Sequence, residues 1–118
     1  TRKESSAASD VYKRQLLARH GLHAGQLAAI ELHDAFAVQA LDFAHVLGQP
    51  AERLNRRGGG LARGHPIGAS AAIALVRLLA DLARDEAPGA LGLASAAGAG
   101  GIGTAALVER LAGISPAP

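Results

Sequence analysis

The stretch NRRGGGLARGHPIGAS, from Asn55 to Ser70, decides how this chain is read. Its glycines let the backbone turn sharply, and Pro66 suits the first turn of a helix, where a missing N–H costs nothing. Beyond it, Ile67, Ala71, Ala74, Leu78 and Leu82 recur at helical spacing, while Arg77, Asp81 and Arg84 mark a wet face. A glycine loop therefore feeds an amphipathic helix. Working outward, Asp34 can cap an earlier helix whose apolar positions are Phe36, Ala40, Phe43 and Leu47, and Gly48-Gln49-Pro50 stops it. Before that, Leu27 to Leu32 reads as a short buried strand, and residues 16–20 as a helix ending at the C′ glycine Gly21. On the other side, Pro88-Gly89 is a turn and Leu91 to Ala96 a buried strand. Gly98 to Gly103 is then a glycine corner, and Thr104 to Glu109 a last extended run. Strand, helix, helix, strand, strand is an α/β order, and too few elements for a complete sandwich.

Composition narrows the possibilities further. The 118 residues include 28 alanines and 15 glycines, but only one tyrosine, two phenylalanines and no tryptophan. One small domain with few large anchors is expected, with little stability to spare. Without cysteine, neither a disulfide nor a thiolate-metal site can reinforce it. The formal charge of +2 and dispersed basic residues, Arg56-Arg57 aside, argue against nucleic-acid binding. Arg77 and Asp81 interrupt the longest apolar run, so no membrane span is expected. No signal segment is evident, and cytoplasm is the default compartment. Residues 1–15 hold both lysines and the tyrosine, whereas every basic side chain from Leu16 onward is arginine or histidine. They read as an extraneous, adapter-like or disordered terminus, leaving 16–118 as the domain. A chain opening on Thr1 is expected to be a piece of something larger.

Four features can carry chemistry. Gly98-Ala99-Gly100-Gly101-Ile102-Gly103 satisfies G-x-G-x-x-G after a strand. Dinucleotide binding also needs a helix, a returning strand and an acidic residue about 20 positions on, and the chain ends too soon, so a tight corner between strands fits better. Gly64-His65-Pro66 places a histidine where a helix start offers free N–H donors and a dipole that favours neutral imidazole. Such a ring can take a proton from a nucleophile or stabilise an oxyanion, or merely close a loop. His33-Asp34-Ala35-Phe36 sits at a strand-to-helix junction. Its local reading is plainer: Asp34 caps, Phe36 packs, and His33 is incidental. His33, Asp34 and His65 have no diagnostic metal spacing, and no metal is expected.

Together these pieces resemble the C-terminal part of the thiolase family. QLLARHGLHAGQLAAIELHDAF, Gln15 to Phe36, is similar to that family's helix, strand and N-E-A-F or H-D-x-F box. Asn55 to Ser70 resembles its N-x-x-G-G-x-x-x-x-G-H-P-x-G-A-S segment. LGLASAAGAGGIGTAALVE, Leu91 to Glu109, resembles the two terminal strands around C-x-G-G-G-x-G. The resemblance runs in order over residues 16–112. It implies the C-terminal portion of an αβαβα layered fold and acyl transfer on acyl-CoA or 3-ketoacyl-CoA thioesters.

On that resemblance, His65 activates an acylated cysteine supplied from outside the chain and helps form an oxyanion hole. His33 takes the place of the box asparagine that holds a water there, as in the H-D-x-F subtype. Gly64, Ala99 and Gly100 fall at substrate-binding positions, with coenzyme A thioester as substrate and no bound cofactor. The missing N-terminal half and a homo-oligomeric partner are implied too, and the isolated chain is expected to be inactive and poorly packed. The chain departs from the pattern at Ala97, where the family's second cysteine shuttles the α-proton, and at Ala35, that thiol's other known seat. A thiolase-like aldolase and a non-catalytic acyl-CoA-binding or scaffolding subunit are the alternatives.

Overall fold

The computed structural model describes residues 2–98 and 102–113, with side chains from Val11 onward. Helix α1 (Arg2–Arg19) leads to strand β1 (Leu27–Leu32), helix α2 (Ala37–Leu47), the single turn α3 (Gly60–Arg63) and helix α4 (Ser70–Asp85). Strands β2 (Leu91–Gly98) and β3 (Ile102–Glu109) follow, so the α/β order expected from the sequence is present. Among the described residues the sheet has the order β1-β2-β3, parallel between the first pair and antiparallel between the second. Parallel pairing of β1 with β2 requires the long crossover that α2 to α4 supply.

Alternation along the strands sends side chains to two layers. Ile30, Leu32 and Leu93 join Leu17 of α1 and Phe43 of α2 in one cluster; Ala29 and Ala94 join Leu78 and Leu82 of α4 in the other. β1 is buried along nearly its whole length, as a strand covered on both faces must be. Gly92 marks how closely α4 approaches: a Cβ there would lie 2.8 Å from Leu78 and 2.9 Å from Leu82. The outer side of α4 leaves Val76 (65%) and Leu79 (47%) exposed.

Several boundaries move from the sequence reading. Gly21 does close α1, with Leu22 N–H bonded to Leu17 O and Gly21 N–H to Ala18 O. The helix itself starts at Arg2, so residues 2–15, set aside as a terminus, are helical here, and Lys13 is buried with its ammonium 3.7 Å from the Phe43 ring centre. Asp34 does not cap α2. That helix starts at Ala37 behind Phe36, whose N–H is taken by the Gln39 side chain, and Phe36 stays half exposed. α4 begins at Ser70 rather than at Pro66, which leaves Ile67 84% exposed instead of in the apolar stripe. Asp81, expected on the wet face, is buried because Arg57 reaches it from the glycine loop, Nε to Oδ1 at 2.7 Å.

Candidate active site

The site is built where β1 ends. Asn55, with a φ of 49°, lays its side chain along the strand end: its Oδ1 accepts the Leu32 N–H at 2.7 Å and its Nδ2 donates to Leu32 O at 3.0 Å. A side-chain amide so presents the donor and acceptor that a further strand residue would offer. Asn55 N–H bonds Ile30 O, and Leu54 forms a bridge with Ile30, so the loop is pinned to β1 at consecutive positions. Asp34, buried, accepts the Gly60 N–H at the start of α3. Gly59 fits between these two side chains only because it lacks a Cβ, which would collide with the Asp34 carboxylate and the Asn55 amide.

This clamp carries the loop back over β1 and delivers His65 to His33. The two rings lie 4.3 Å apart between centres, tilted by 31°. His33 is buried and His65 is exposed. Burial pulls the His33 imidazole below its ordinary pKa, and the His65 charge adds to that; Asp34 opposes it and Arg63 reinforces it. His33 is therefore held as a neutral ring. His65 Nδ1 lies 2.7 Å from the hydroxyl of Ser70, the first residue of α4, so only its other ring nitrogen is left for exchange. Gly64 has a φ of 85° and its N–H bonded to Gly60 O, so what it offers a ligand is a backbone without a side chain.

Behind the histidines lies a charged cluster that the sequence reading did not single out. Glu31, two residues before His33 on the same face of β1, is 1% exposed. Arg77 Nε stands 3.8 Å and Arg63 Nη1 4.0 Å from its Oε2. Burial pushes the Glu31 carboxyl up to about 7, against the two arginines, with Asp81 and Asp34 adding to the rise. The available signal was a single glutamate inside the apolar run LAAIEL; Ser70 and Asn55 were visible only as letters of the loop motif.

His33, His65 and Gly64 are thus brought to one place. Ala97 pairs with Gly103 across the β2–β3 hairpin; Ala99 and Gly100 lie outside the described residues. Among the described residues no group of three or more His, Cys, Asp or Glu side chains is placed to hold a metal ion.

A family model described as "Thiolase, C-terminal domain" matches residues 6–110. This chain belongs to the thiolase family. Over 92 residues it is 47% identical to an acetyl-CoA acetyltransferase of Escherichia coli, covering 77% of this chain and 23% of that protein. It is 42% identical over 102 residues to a peroxisomal 3-ketoacyl-CoA thiolase of Encephalitozoon cuniculi, 86% of this chain and 26% of that one. In structure it is similar to the Acat5 thiolase of Ascaris suum in complex with coenzyme A, with a TM-score of 0.81 and 35% identity over 90% of this chain and 27% of that one. The peroxisomal 3-ketoacyl-CoA thiolase of Saccharomyces cerevisiae, described as a five-layered structure of two core domains of identical topology, gives 0.79 and 29% over 90% and 30%. The chain spans about a quarter of the length of the curated relatives it matches. The thiolase match begins at residue 6, inside the segment the sequence reading set aside.

Proposed function

We propose that this chain is the histidine-bearing C-terminal segment of a thiolase-type acyltransferase acting on acyl-CoA or 3-ketoacyl-CoA thioesters. The observation that carries the reading is the His33–His65 pair, a buried neutral ring 4.3 Å from an exposed one whose Nδ1 is already engaged. In this reading the free nitrogen of His65 takes the proton of a cysteine supplied by the N-terminal half and passes it to the departing CoA thiolate or α-carbanion as the acyl–sulfur bond forms. When an incoming CoA thiol takes the acyl group, His65 relays that thiol's proton back to the cysteine. His33, kept neutral by burial, hydrogen-bonds the thioester oxygen as negative charge develops on it. Gly64 offers the thioester its backbone, and Ala99 and Gly100 are assigned to the substrate by the family resemblance of their positions. Coenzyme A thioester as substrate is supported by the Ascaris neighbour, whose crystal structure is described as a coenzyme A complex. A homo-oligomer and a cytoplasmic setting complete the proposal, and the exposed apolar side of α4 is what the missing half or a partner subunit covers.

Ala97 and Ala35 favour keeping one second reading, because a methyl group moves no proton. In it the same segment serves a thiolase-like aldolase or a non-catalytic acyl-CoA-binding or scaffolding subunit. Fusing this chain to the N-terminal three quarters of the E. coli acetyltransferase separates the two. Acyl transfer predicts thiolysis of acetoacetyl-CoA by the fusion, none by the 118-residue chain alone, and a loss of about 10³-fold or more for His65→Ala. Activity in the isolated chain, or a His65→Ala fusion within threefold of its parent, would refute the proposal.

A further inference from the structure

We infer that Ser70 is a positioning residue that fixes which nitrogen of His65 carries the proton, and so leaves its outer nitrogen ready to accept one. The inference rests on the reading of His65 as the reacting histidine, and it starts from a count of protons. The Ser70 hydroxyl lies within bonding distance of two groups, His65 Nδ1 at 2.7 Å and Pro66 O at 3.1 Å, and it has one proton to give. If the proton goes to Nδ1, the serine makes one hydrogen bond, its oxygen accepts none, and the outer Nε2 of His65 must carry N–H. If it goes to Pro66 O, the same oxygen accepts N–H from Nδ1, two bonds form in series, and Nε2 keeps its lone pair. The second arrangement makes one more hydrogen bond from the same atoms. It also follows the bonding of helical serines to the carbonyl four residues back.

The frame around these atoms does not move easily. Ser70 is 3% exposed, and its N–H bonds Pro66 O at 3.0 Å as α4 begins, with Ala69 N–H on the same carbonyl at 2.8 Å. The hydroxyl is therefore held by the helix end, and through it the imidazole plane is set against His33. A neutral histidine whose tautomer is chosen in advance needs no rearrangement before accepting a proton. When it becomes imidazolium, the Nδ1–H remains bonded to Ser70, so the same contact serves both protonation states.

Nitrogen chemical shifts test this directly. The fusion of this chain to the N-terminal three quarters of the E. coli acetyltransferase is labelled with ¹⁵N at histidine, His65 is assigned with a His65→Gln variant, and spectra are taken at a pH where the ring is neutral. The expected result is a pyrrole-type Nδ1 and a pyridine-type Nε2 at His65. Ser70→Ala is expected to move both shifts towards each other or exchange them, with the resonances of His45 on α2 unchanged as the sign of an intact fold. Ser70→Thr, which keeps the hydroxyl, is expected to restore the parent values. A parent His65 with its proton on Nε2 overturns the inference, as does a folded Ser70→Ala chain with parent shifts. Should Ser70→Ala unfold, the parent and Ser70→Thr spectra alone decide it. None of these outcomes depends on thiolysis, so the tautomer and the acyl-transfer reading fail separately.

Discussion

On one face of β1, Glu31 and His33 are two residues apart and are handled in opposite ways. Around His33 the neighbouring loop is placed by short polar contacts: Asn55 on Leu32, Asp34 on Gly60, Ser70 on His65. Around Glu31 the charges approach only to 3.8 and 4.0 Å, and Glu31 Oε2, Arg77 Nε and Arg63 Nη2 have no hydrogen-bond partner among the described residues. Both arginines instead hold the backbone of the glycine loop, Arg77 on Arg57 O at 2.7 Å and Arg63 on Gly58 O at 3.3 Å. The first region fixes geometry, which a reacting histidine needs. The second sets a local field and steadies the loop from below, for which looser contacts suffice.

The largest loss is expected at Gly59. Any side chain there meets the Asp34 carboxylate and the Asn55 amide, both fixed by hydrogen bonds of their own. Gly59→Val in the fusion protein is expected to lower unfolding stability by about 3 kcal/mol or more in a urea titration, and to abolish thiolysis by displacing His65. Gly68→Ala, four residues beyond Gly64 with nothing within 4 Å of an added Cβ, is the matched control and is expected to be near neutral. Equal losses for the two would mean the clamp does not position the loop.

How much of this was legible in the chain depends on sequence distance. β1 is found at Leu27–Leu32 as expected, because a short bulky run between turn residues needs no distant partner to be recognised. Asp34 was misread because its two possible roles, capping α2 or receiving Gly60, look identical locally; only the folded loop decides between them. Asp81 was misread for the same reason, since the arginine that lets it be buried comes from the loop and not from α4. Ile67 lies outside the apolar stripe because Pro66 to Ala69 form a turn whose carbonyl receives the first helical N–H groups, so the helix starts four residues beyond the proline that signals it. The histidine pair was legible only through the ordered motifs, since no local pattern says that His33 and His65 touch.

A second, smaller test uses pH, because the two regions titrate with opposite sign. The folded Glu31 carboxyl is raised from 4.5 to about 7, so between those values the folded state holds more protons than the unfolded one. Its contribution is full below pH 4.5 and is lost as the pH rises through about 7, worth at most about 3.5 kcal/mol at ~1.4 kcal/mol per pH unit. His33 is lowered from 6.5, so the unfolded state binds the proton first, and stability falls as the pH drops below 6.5. Glu31→Gln is expected to remove the first trend and expose the second, so that stability then rises as the pH climbs towards 6.5. His33→Gln should do the reverse. A pH–stability curve unchanged by Glu31→Gln would mean that the carboxyl is not perturbed by its burial.

The smallest effect is expected where a salt bridge reaches neither region. Arg56 is the neighbour of Arg57 in sequence, yet it turns to Glu86, Nη2 to Oε1 at 3.0 Å, with side chains 35% and 24% exposed. A pair so open to water gains little from Coulomb attraction and must hold two long side chains still, which limits it to about 1 kcal/mol at most. Arg56→Ala is therefore expected to shift the urea midpoint only slightly and to leave thiolysis by the fusion protein unchanged. Arg57→Ala removes the partner of a buried carboxylate at Asp81 and should cost more, because the charge left behind has no water to replace the guanidinium. The informative quantity is the difference between these adjacent substitutions. If it vanishes, Asp81 reaches solvent, and the charged side of β1 is wetter than its burial indicates.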